Sequence, residues 1–144
     1  MIYLDSSALV KRYLEEDGSD KVQLLFSDMD IVFVSRLAYH ETLSAITRRR
    51  RSGDISDRNF RRIKEQFKSD GESLTIVEIR SEVLQFTDTI IDRYALKGAD
   101  SIRLSSALWL KKMVNSEVAF VASDEALLDA AQKEKLKTVN AAQD

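Results

Sequence analysis

Ile2-Tyr3-Leu4-Asp5-Ser6-Ser7 opens the chain with an apolar run that ends on an acid and two serines. A second stretch repeats this layout, since Val118-Ala119-Phe120-Val121-Ala122 leads into Ser123 and Asp124. Short, continuous apolar runs of this kind are typical of strands that are buried on both faces of a parallel sheet. The two stretches therefore predict strands over residues 2–5 and 118–122, each followed directly by polar side chains.

Further strand and helix patterns fill the chain between and after these runs. Apolar and β-branched residues predict strands over 31–35 and 74–79, and a short edge strand over 137–139. Apolar residues at helical spacing, with capping residues such as Ser7, predict seven helices. Their predicted ranges are 8–15, 19–27, 36–51, 57–69, 81–96, 100–114 and 124–133. Because strands alternate with helices, we expect an α/β fold whose parallel sheet is covered by helices on both faces.

Composition limits the possible classes of protein. The 144 residues fit a single domain over 1–144, and 44% hydrophobic with 32% charged residues is typical of a globular chain. Cysteine is absent and His40 is the only histidine, so a metal ion here would have to be bound by oxygen atoms. The net charge of −2 gives no overall attraction to a polyanion, so nucleic acid would require a local basic surface.

Segments that would target or divide the chain are also missing from the sequence. There is no proline and there are only four glycines, so no linker separates two parts of the chain. No apolar run is long enough to span a membrane, and the N-terminus lacks the basic-then-apolar layout of a secretion signal. We therefore expect a cytoplasmic protein.

Four acids stand where an acid has little structural reason to be: Asp5, Glu41, Asp100 and Asp124. Asp5 ends one predicted strand and Asp124 comes just after another, at the edge of a parallel sheet where ligands bind. Glu41 lies on the small, apolar side of a predicted helix, and Asp100 opens another. Carboxylates are costly to desolvate unless a positive charge lies between them, and Mg²⁺ or Mn²⁺ would supply one. If the four acids meet in one pocket, they indicate a metal-dependent nuclease.

Each acid also has a simpler explanation. Asp5, Asp100 and Asp124 are placed where an acid caps the first turn of a helix and complements the helix dipole. Glu41 has two alternatives, since it would be satisfied by pairing with an arginine or by reaching water from the edge of the apolar face. Only the four acids together favour a metal site over these local roles.

The motifs around the acids resemble those of PIN-domain ribonucleases, and more narrowly those of VapC-type toxins from prokaryotic toxin–antitoxin pairs. The similar stretches are IYLDSSALVK (2–11), AYHE (38–41), LKGADSIRLSSA (96–107) and FVASDEALLDAA (120–131). Each motif is weak alone, but their order and spacing extend over almost the whole chain. The resemblance implies a three-layer α/β/α sandwich around a parallel, PIN-like sheet.

The same resemblance implies a set of site residues and a reaction. Asp5, Glu41, Asp100 and Asp124 correspond to the family's acidic set, which binds Mg²⁺ or Mn²⁺. We expect Asp5 and Asp100 to bind the ion directly, Asp124 directly or through water, and Glu41 to position or deprotonate the attacking water. The expected products carry a 5′-phosphate and a 3′-hydroxyl.

The chain matches the family pattern at two further hydroxyl positions and differs from it at two other positions. Ser7 and Ser123 fall at the family's hydroxyl positions. Ala122 stands where many members have a second small polar residue, and Arg103 stands where the third motif often has a histidine. The implied partners are an RNA substrate, a cognate antitoxin whose tail fills the active-site groove, and a second copy of the chain. The helices over 36–69 are the implied contact surfaces.

Seven arginines between positions 48 and 62 form the densest basic stretch: Arg48, Arg49, Arg50, Arg51, Arg58, Arg61 and Arg62. Three interpretations fit them, namely a solvated helix end, a phosphate track along RNA, or a surface for an acidic partner segment. Lys11, Arg12 and Arg103 lie closer in sequence to the acids and are alternative phosphate contacts.

The aromatic side chains near these motifs allow two interpretations. Tyr13, Tyr39 and Trp109 would either stack on bases or pack in the core, and core packing is the more common role at helical spacing. We interpret His40, next to Glu41, as structural.

Two rival classes also fit an α/β fold of this size. One is a catalytically inactive, PIN-like module that binds RNA or protein alone, and the intact set of four acids argues against it. The other is a phosphotransferase with an aspartate nucleophile on a doubly wound sheet. That chemistry would require a supporting lysine in a late motif, and no convincing one follows Asp124.

Overall fold

Five parallel strands form the centre of the protein in the computed structural model, which describes residues 1–142. The strands are β1 (Ile2–Leu4), β2 (Val32–Ser35), β3 (Thr75–Val77), β4 (Ala119–Ala122) and β5 (Lys137–Asn140). They lie in the order β3-β2-β1-β4-β5 and pair in parallel throughout. The helices are α1 (Ser6–Leu9), α2 (Ser19–Asp28), α3 (Arg36–Arg51), α4 (Asp57–Ser73), α5 (Thr87–Arg93), α6 (Gly98–Val114) and α7 (Glu125–Lys133).

Side chains of β1 alternate between the two faces of the sheet and divide the core into two halves. Ile2 and Leu4 point to one face, where they pack with apolar residues of α1 to α4 such as Ile46 and Phe67. Tyr3 points to the other face, where it stacks on Phe120 and joins residues of α5, α6 and α7. Both faces are therefore covered, and the expected α/β/α sandwich is confirmed.

The strand order places a switch point between β1 and β4. From β1 the chain proceeds outward through β2 to β3, and it later returns to β4 on the other side of β1 and continues to β5. Leu4 pairs with Val34 on one side and with Val121 on the other. Ligands of open parallel sheets bind in the crevice beyond the carboxyl ends of the strands at such a point.

The first helix differs from its predicted range of 8–15. It begins at Ser6, because Asp5 rather than Ser7 caps it, and it ends at Leu9, with a single 3₁₀ turn over Val10–Arg12 after it. The chain leaves the helical path there to bring Tyr13 against α4, where the Tyr13 ring meets Phe67 at 5.1 Å between centroids. Gly18 then adopts a φ of 83°, and a Cβ at this position would lie 1.8 Å from the carbonyl oxygen of Ala141.

The helix predicted over 81–96 is also broken. A turn precedes a 3₁₀ turn at Leu84–Phe86, and α5 covers only Thr87–Arg93. The Val83 carbonyl accepts a hydrogen bond from the Ser105 hydroxyl at 2.7 Å, so a contact with α6 replaces a helical one. The β-branched residues of this segment add little helix propensity to oppose the change.

Other boundaries move by a few residues. The α4 helix continues to Ser73, beyond the predicted end at 69, with Leu74 as its C-cap, and β3 is shorter at both ends than the predicted 74–79. The α6 helix begins at Gly98, so Asp100 lies in its first turn and does not cap it. The edge strand predicted over 137–139 is confirmed as β5. No helix within residues 1–142 is long and apolar enough to cross a membrane.

Candidate active site

All four acids singled out in the sequence line one open cavity of about 450 Å³ at the switch point of the sheet. Asp5 follows β1, Glu41 comes from α3, Asp100 from α6, and Asp124 precedes α7. The remaining lining residues are Ser6, Ser7, Val10, Ser44, Ala45, Arg48 and Arg103. The cavity therefore brings together side chains that lie up to 119 positions apart in the sequence, from Asp5 to Asp124.

Asp5 uses its two carboxylate oxygens differently. Oδ2 accepts hydrogen bonds from the Ser7 amide at 3.1 Å and from the Ser7 hydroxyl at 2.6 Å, which caps α1. Oδ1 is buried and has no hydrogen-bond partner within residues 1–142, although Arg103 Nε lies 3.1 Å away. That contact is an ion pair whose angle does not meet hydrogen-bond geometry. With only 2% of Asp5 exposed, Oδ1 is an acceptor held inside the site.

Asp124 occupies the equivalent place after β4. Its Oδ1 accepts a hydrogen bond from the Leu127 amide at 2.8 Å and caps α7. The residue itself is exposed to solvent at the mouth of the cavity. The capping alternative is thus correct for both Asp5 and Asp124, and both residues also line the cavity.

Glu41 is satisfied by one of the alternatives considered for it. Its Oε2 accepts a hydrogen bond from Arg103 Nη2, and 29% of its side chain is exposed. Thr42 and Ile46 are the buried residues that hold this part of α3 against the sheet, so Glu41 lies at the edge of the buried face. Ser35 fixes the start of α3 by accepting a hydrogen bond from the Ala38 amide at 2.9 Å.

Asp100 is partly buried in the first turn of α6, and its Oδ1 accepts a hydrogen bond from Arg103 Nη1. Burial raises the pKa of the Asp100 carboxyl, and the negative charges of Asp5 and Asp124 raise it further against the opposing effect of Arg103. Asp5, Asp100 and Asp124 therefore influence one another electrostatically as well as lining one cavity.

Arg103 is the residue that the sequence prediction undervalued. The sequence predicts it as a phosphate contact and as a departure from the family's third motif, but its guanidinium contacts Asp5, Glu41 and Asp100 together, and 13% of its side chain is exposed. Burial lowers the pKa of the guanidinium, but the three carboxylates outweigh that effect and raise the pKa above its ordinary value. The available signal was the i, i+3 spacing from Asp100 on one helix face.

Ser7 and Ser123 tie the ends of β1 and β4 together beneath the acids. The Ser7 hydroxyl donates to Asp5 and accepts a hydrogen bond from the Ser123 amide at 3.0 Å. The Ser123 hydroxyl donates to the Ser7 carbonyl at 3.3 Å. Both serines therefore lie where they fix the position of the Asp5 carboxylate.

Lys11 and Arg12 do not line the cavity, so the expectation that they contact phosphate there needs correction. Lys11 is buried, and its Nζ donates to the Asp17 carbonyl at 2.7 Å. Arg12 pairs with Asp70 at 2.9 Å and lies over the Phe26 ring. Both cations are satisfied by partners outside the cavity.

The basic stretch separates into paired and free arginines. Arg49 pairs with Asp54 at 3.1 Å and with Glu16 at 3.6 Å, and Arg50 pairs with Asp57 at 2.8 Å. Arg48 and Arg51 are exposed and have no ion-pair partner within residues 1–142. Of these four, only Arg48 lines the cavity.

The aromatic candidates pack in the protein. The Tyr13 hydroxyl donates to Asp70 at 3.0 Å, and the Tyr39 ring lies 4.6 Å from the Phe67 ring between centroids. Trp109 packs against the core cluster on the other face of the sheet. His40 is exposed beside Tyr39 and does not line the cavity.

The cavity offers carboxylate donor atoms for a metal ion, but they do not form a closed set. Within residues 1–142, no three acidic or histidine side chains are close enough together to form a finished set of ligands. The Arg103 guanidinium lies among three of the acids, and it is larger than a metal ion, so it holds them farther apart than direct ligands would be. The donors are nevertheless all carboxylate oxygens, and Asp5 Oδ1 is buried without a hydrogen bond, so the residues fit Mg²⁺ or Mn²⁺ in kind.

Comparison with known proteins assigns the chain to a family. The chain matches the PIN domain over residues 2–131 and therefore belongs to the PIN domain family. Two proteins from Mycobacterium tuberculosis, Ribonuclease VapC45 (strain CDC 1551 / Oshkosh) and Ribonuclease VapC49 (strain H37Rv), are each 31% identical to it over 108 residues. Those 108 residues are 75% of this chain and 75% of each relative, which places the chain among the VapC-type members.

Solved structures share the fold at much lower identity. FitAcB from Neisseria gonorrhoeae gives a TM-score of 0.71 at 12% identity over 98% of both chains. A toxin–antitoxin complex from Klebsiella pneumoniae gives 0.64 at 12% identity over 100% of both chains. VapC20 from Mycobacterium tuberculosis, described as a sarcin-ricin loop cleaving toxin, gives 0.65 at 12% identity over 90% of this chain and 95% of that one.

Proposed function

We propose that this chain is a metal-dependent endoribonuclease that hydrolyses RNA phosphodiester bonds and acts as the toxin of a toxin–antitoxin pair. The observation that carries the proposal is the meeting of Asp5, Glu41, Asp100 and Asp124 in one cavity at the switch point of a parallel sheet. Membership of the PIN domain family and the two ribonuclease relatives support it.

The proposed metal is Mg²⁺ or Mn²⁺, because hard divalent cations prefer carboxylate oxygens. Asp5 would bind it through Oδ1, the buried oxygen that lacks a hydrogen bond. Asp100 would be the second direct ligand, placed by the first turn of α6. Asp124 Oδ1 caps α7, so Oδ2 would be the atom offered to the ion or to a water molecule on it.

When bound, the ion would lower the pKa of a water molecule and neutralise charge that develops on the phosphate. Glu41 Oε2 is engaged by Arg103, so Oε1 would accept the proton of the attacking water. As the new P–O bond forms, the bond from phosphorus to the 3′ oxygen breaks, and that oxygen takes a proton from solvent. The products would carry a 5′-phosphate and a 3′-hydroxyl.

Arg48 would contact the RNA backbone at the rim of the cavity. It is exposed, lines the cavity, and lies two turns along α3 from Glu41. A guanidinium at this distance from the acids would hold a neighbouring phosphate without competing for the ion.

The proposed partners are an antitoxin protein and a second copy of this chain, in the cytoplasm. The structural neighbour described as a toxin–antitoxin complex covers the full length of this chain and supports the first of these. An antitoxin segment over the cavity would have to satisfy or avoid the four acids, so we expect it to carry basic residues.

The alternative is a catalytically inactive, PIN-like module. Such a protein would have no reason to keep four acids in one cavity, where their negative charges repel one another. The four intact acids therefore favour the enzyme.

Incubation of purified protein with total RNA, with and without Mg²⁺ or Mn²⁺, tests the proposal beside an Asp5→Asn variant. Asparagine also caps helices well, so the change removes the charge while it preserves the start of α1. We expect cleavage only with the ion, and a rate on the order of a hundredfold lower in the variant.

Asp129→Asn is the matched control, because Asp129 is an exposed acid of α7 that does not line the cavity. It should cleave RNA as fast as the parent. If the Asp5→Asn variant is as active as the parent, Asp5 is not catalytic. If the parent cleaves RNA without a divalent ion, the proposed metal dependence is wrong.

A further inference from the structure

One cation, Arg103, lies among the acids of the cavity. Its Nε is 3.1 Å from Asp5 Oδ1, while Nη1 and Nη2 donate to Asp100 and Glu41. Every nitrogen of the guanidinium thus faces a carboxylate from a different element. Arg103 lies one turn after Asp100 on α6, so the same helix supplies both a carboxylate and the cation that neutralises it.

The charges of the cavity explain why a cation is needed there. Four carboxylates from four elements would repel one another if nothing neutralised them. Asp5 is 2% exposed and most of the Arg103 side chain is buried, so water screens this group poorly. The place where the guanidinium lies is therefore the place where any positive charge would be held most firmly.

We propose that Arg103 occupies the cation position of the metal-free site, and that a divalent ion binds only when the guanidinium leaves Asp5 and Asp100. This inference rests on the proposed metal centre. It accounts for the absence of a finished ligand set within residues 1–142, because carboxylates that surround a planar guanidinium stand too far apart for one small ion.

Arg103 has one alternative role, which is to hold the carboxylates in position for the ion. The two roles predict opposite signs for metal affinity. If Arg103 competes with the ion, its removal frees the carboxylates and the ion binds more tightly. If Arg103 only holds the carboxylates in place for the ion, its removal disorders them and the ion binds more weakly.

Mn²⁺ titration by calorimetry, without RNA, separates these roles in the parent protein and in Arg103→Met. Methionine retains an unbranched apolar side chain and removes the charge. We expect the variant to bind Mn²⁺ at least tenfold more tightly than the parent. Its melting temperature should be lower than the parent's without the ion and should rise more on addition of Mn²⁺, because the ion then supplies the missing positive charge.

Arg48→Met is the matched control, because Arg48 lines the same cavity but contacts none of the four acids. It measures how much Mn²⁺ affinity changes when one positive charge is lost from the cavity, and we expect less than a threefold gain. Arg103→Lys provides a second variant if the methionine variant does not fold. One ammonium group cannot reach three carboxylates as a guanidinium does, so its Mn²⁺ affinity should fall between those of parent and methionine variant.

Equal or weaker Mn²⁺ binding by the foldable Arg103 variants would overturn the inference, as would an equal gain in Arg48→Met. If the parent binds Mn²⁺ and cleaves RNA while the Arg103 variants show no gain, this inference fails and the nuclease proposal stands. If neither the parent nor the variants bind Mn²⁺ at millimolar concentrations, both the metal centre and the inference fail.

Discussion

Asp5 combines a helix-capping role with a place in the proposed metal site. Its Oδ2 accepts two hydrogen bonds from Ser7 and caps α1, while its buried Oδ1 faces Arg103. The cap fixes the rotation of the carboxylate, and the fixed rotation directs Oδ1 into the cavity. Helix capping is therefore compatible with the proposed ion binding, because Oδ2 makes the cap and Oδ1 remains for the ion.

Ser7→Ala should show how much this fixed orientation matters. The change removes the hydroxyl that donates to Asp5 Oδ2 at 2.6 Å and accepts from the Ser123 amide at 3.0 Å. We expect the free energy of unfolding in urea to fall by about 1–3 kcal/mol, since one lost hydrogen bond involves a charged group. The rate of RNA cleavage should fall about tenfold, because the carboxylate loses its anchor.

Ser123→Ala is the control for this prediction. It keeps the main-chain amide that donates to Ser7 and removes only the longer bond of 3.3 Å to the Ser7 carbonyl. Its effects on unfolding and on cleavage should be clearly smaller. If both alanine variants behave alike, the Ser7 hydroxyl does not position Asp5.

Two helices, α3 and α6, carry four side chains of the proposed site and set the distances between them. The α6 helix places Asp100 and Arg103 one turn apart, so they contact each other directly. The α3 helix places Glu41 and Arg48 two turns apart along the cavity edge, while its buried residues Thr42 and Ile46 hold it on the sheet. Helical spacing thus places Arg103 where it neutralises Asp100, and it places Arg48, which is unpaired within residues 1–142, at the rim of the cavity.

Arg48→Ala should weaken the binding of single-stranded RNA. The measurement is made in the Asp5→Asn background without a divalent ion, so that RNA cleavage is suppressed, by fluorescence anisotropy over a range of salt concentrations. We expect affinity to fall about three- to tenfold at low salt, and the slope of log affinity against log salt to decrease by about 0.7, the value for one phosphate contact on a single strand.

Arg50→Ala tests whether this effect belongs to the cavity. Arg50 lies on the same helix end, but it pairs with Asp57 and lies over the Phe60 ring. It should leave the salt slope almost unchanged. A slope that is unaffected by Arg48→Ala, or equally affected by both changes, contradicts a phosphate contact at Arg48.

Across the whole molecule, the strands and the acids were predictable for different reasons. Apolar runs such as Ile2-Tyr3-Leu4 report burial on both faces directly, so β1 and β4 were found near their true bounds. Asp5 and Asp124 come close together because β1 pairs with β4. No local sequence pattern shows this pairing. The grouping of the acids in one site was therefore predicted from the resemblance to PIN domains, and residue spacing did not predict it.

The predictions that failed depended on contacts between distant segments. The segment over 81–96 has helical spacing, but the Val83 carbonyl bonds to Ser105 of α6. Arg12 is a basic residue near Asp5 in sequence, yet it is neutralised by Asp70, 58 positions away. The contacts of Arg103 with Asp5 and Glu41 likewise require the finished fold. A sequence pattern reports burial and local spacing, and it does not report such partners.

The central claim for the molecule is that carboxylates from separate elements bind one divalent ion in the cavity. Diffraction from crystals soaked in Mn²⁺, with anomalous data collected near the manganese absorption edge, tests it most directly. We predict an anomalous peak in the cavity, with Asp5 Oδ1 and an Asp100 oxygen each about 2.2 Å away and the Arg103 guanidinium displaced from both. A cavity without a peak, at Mn²⁺ concentrations that support RNA cleavage, would contradict the claim.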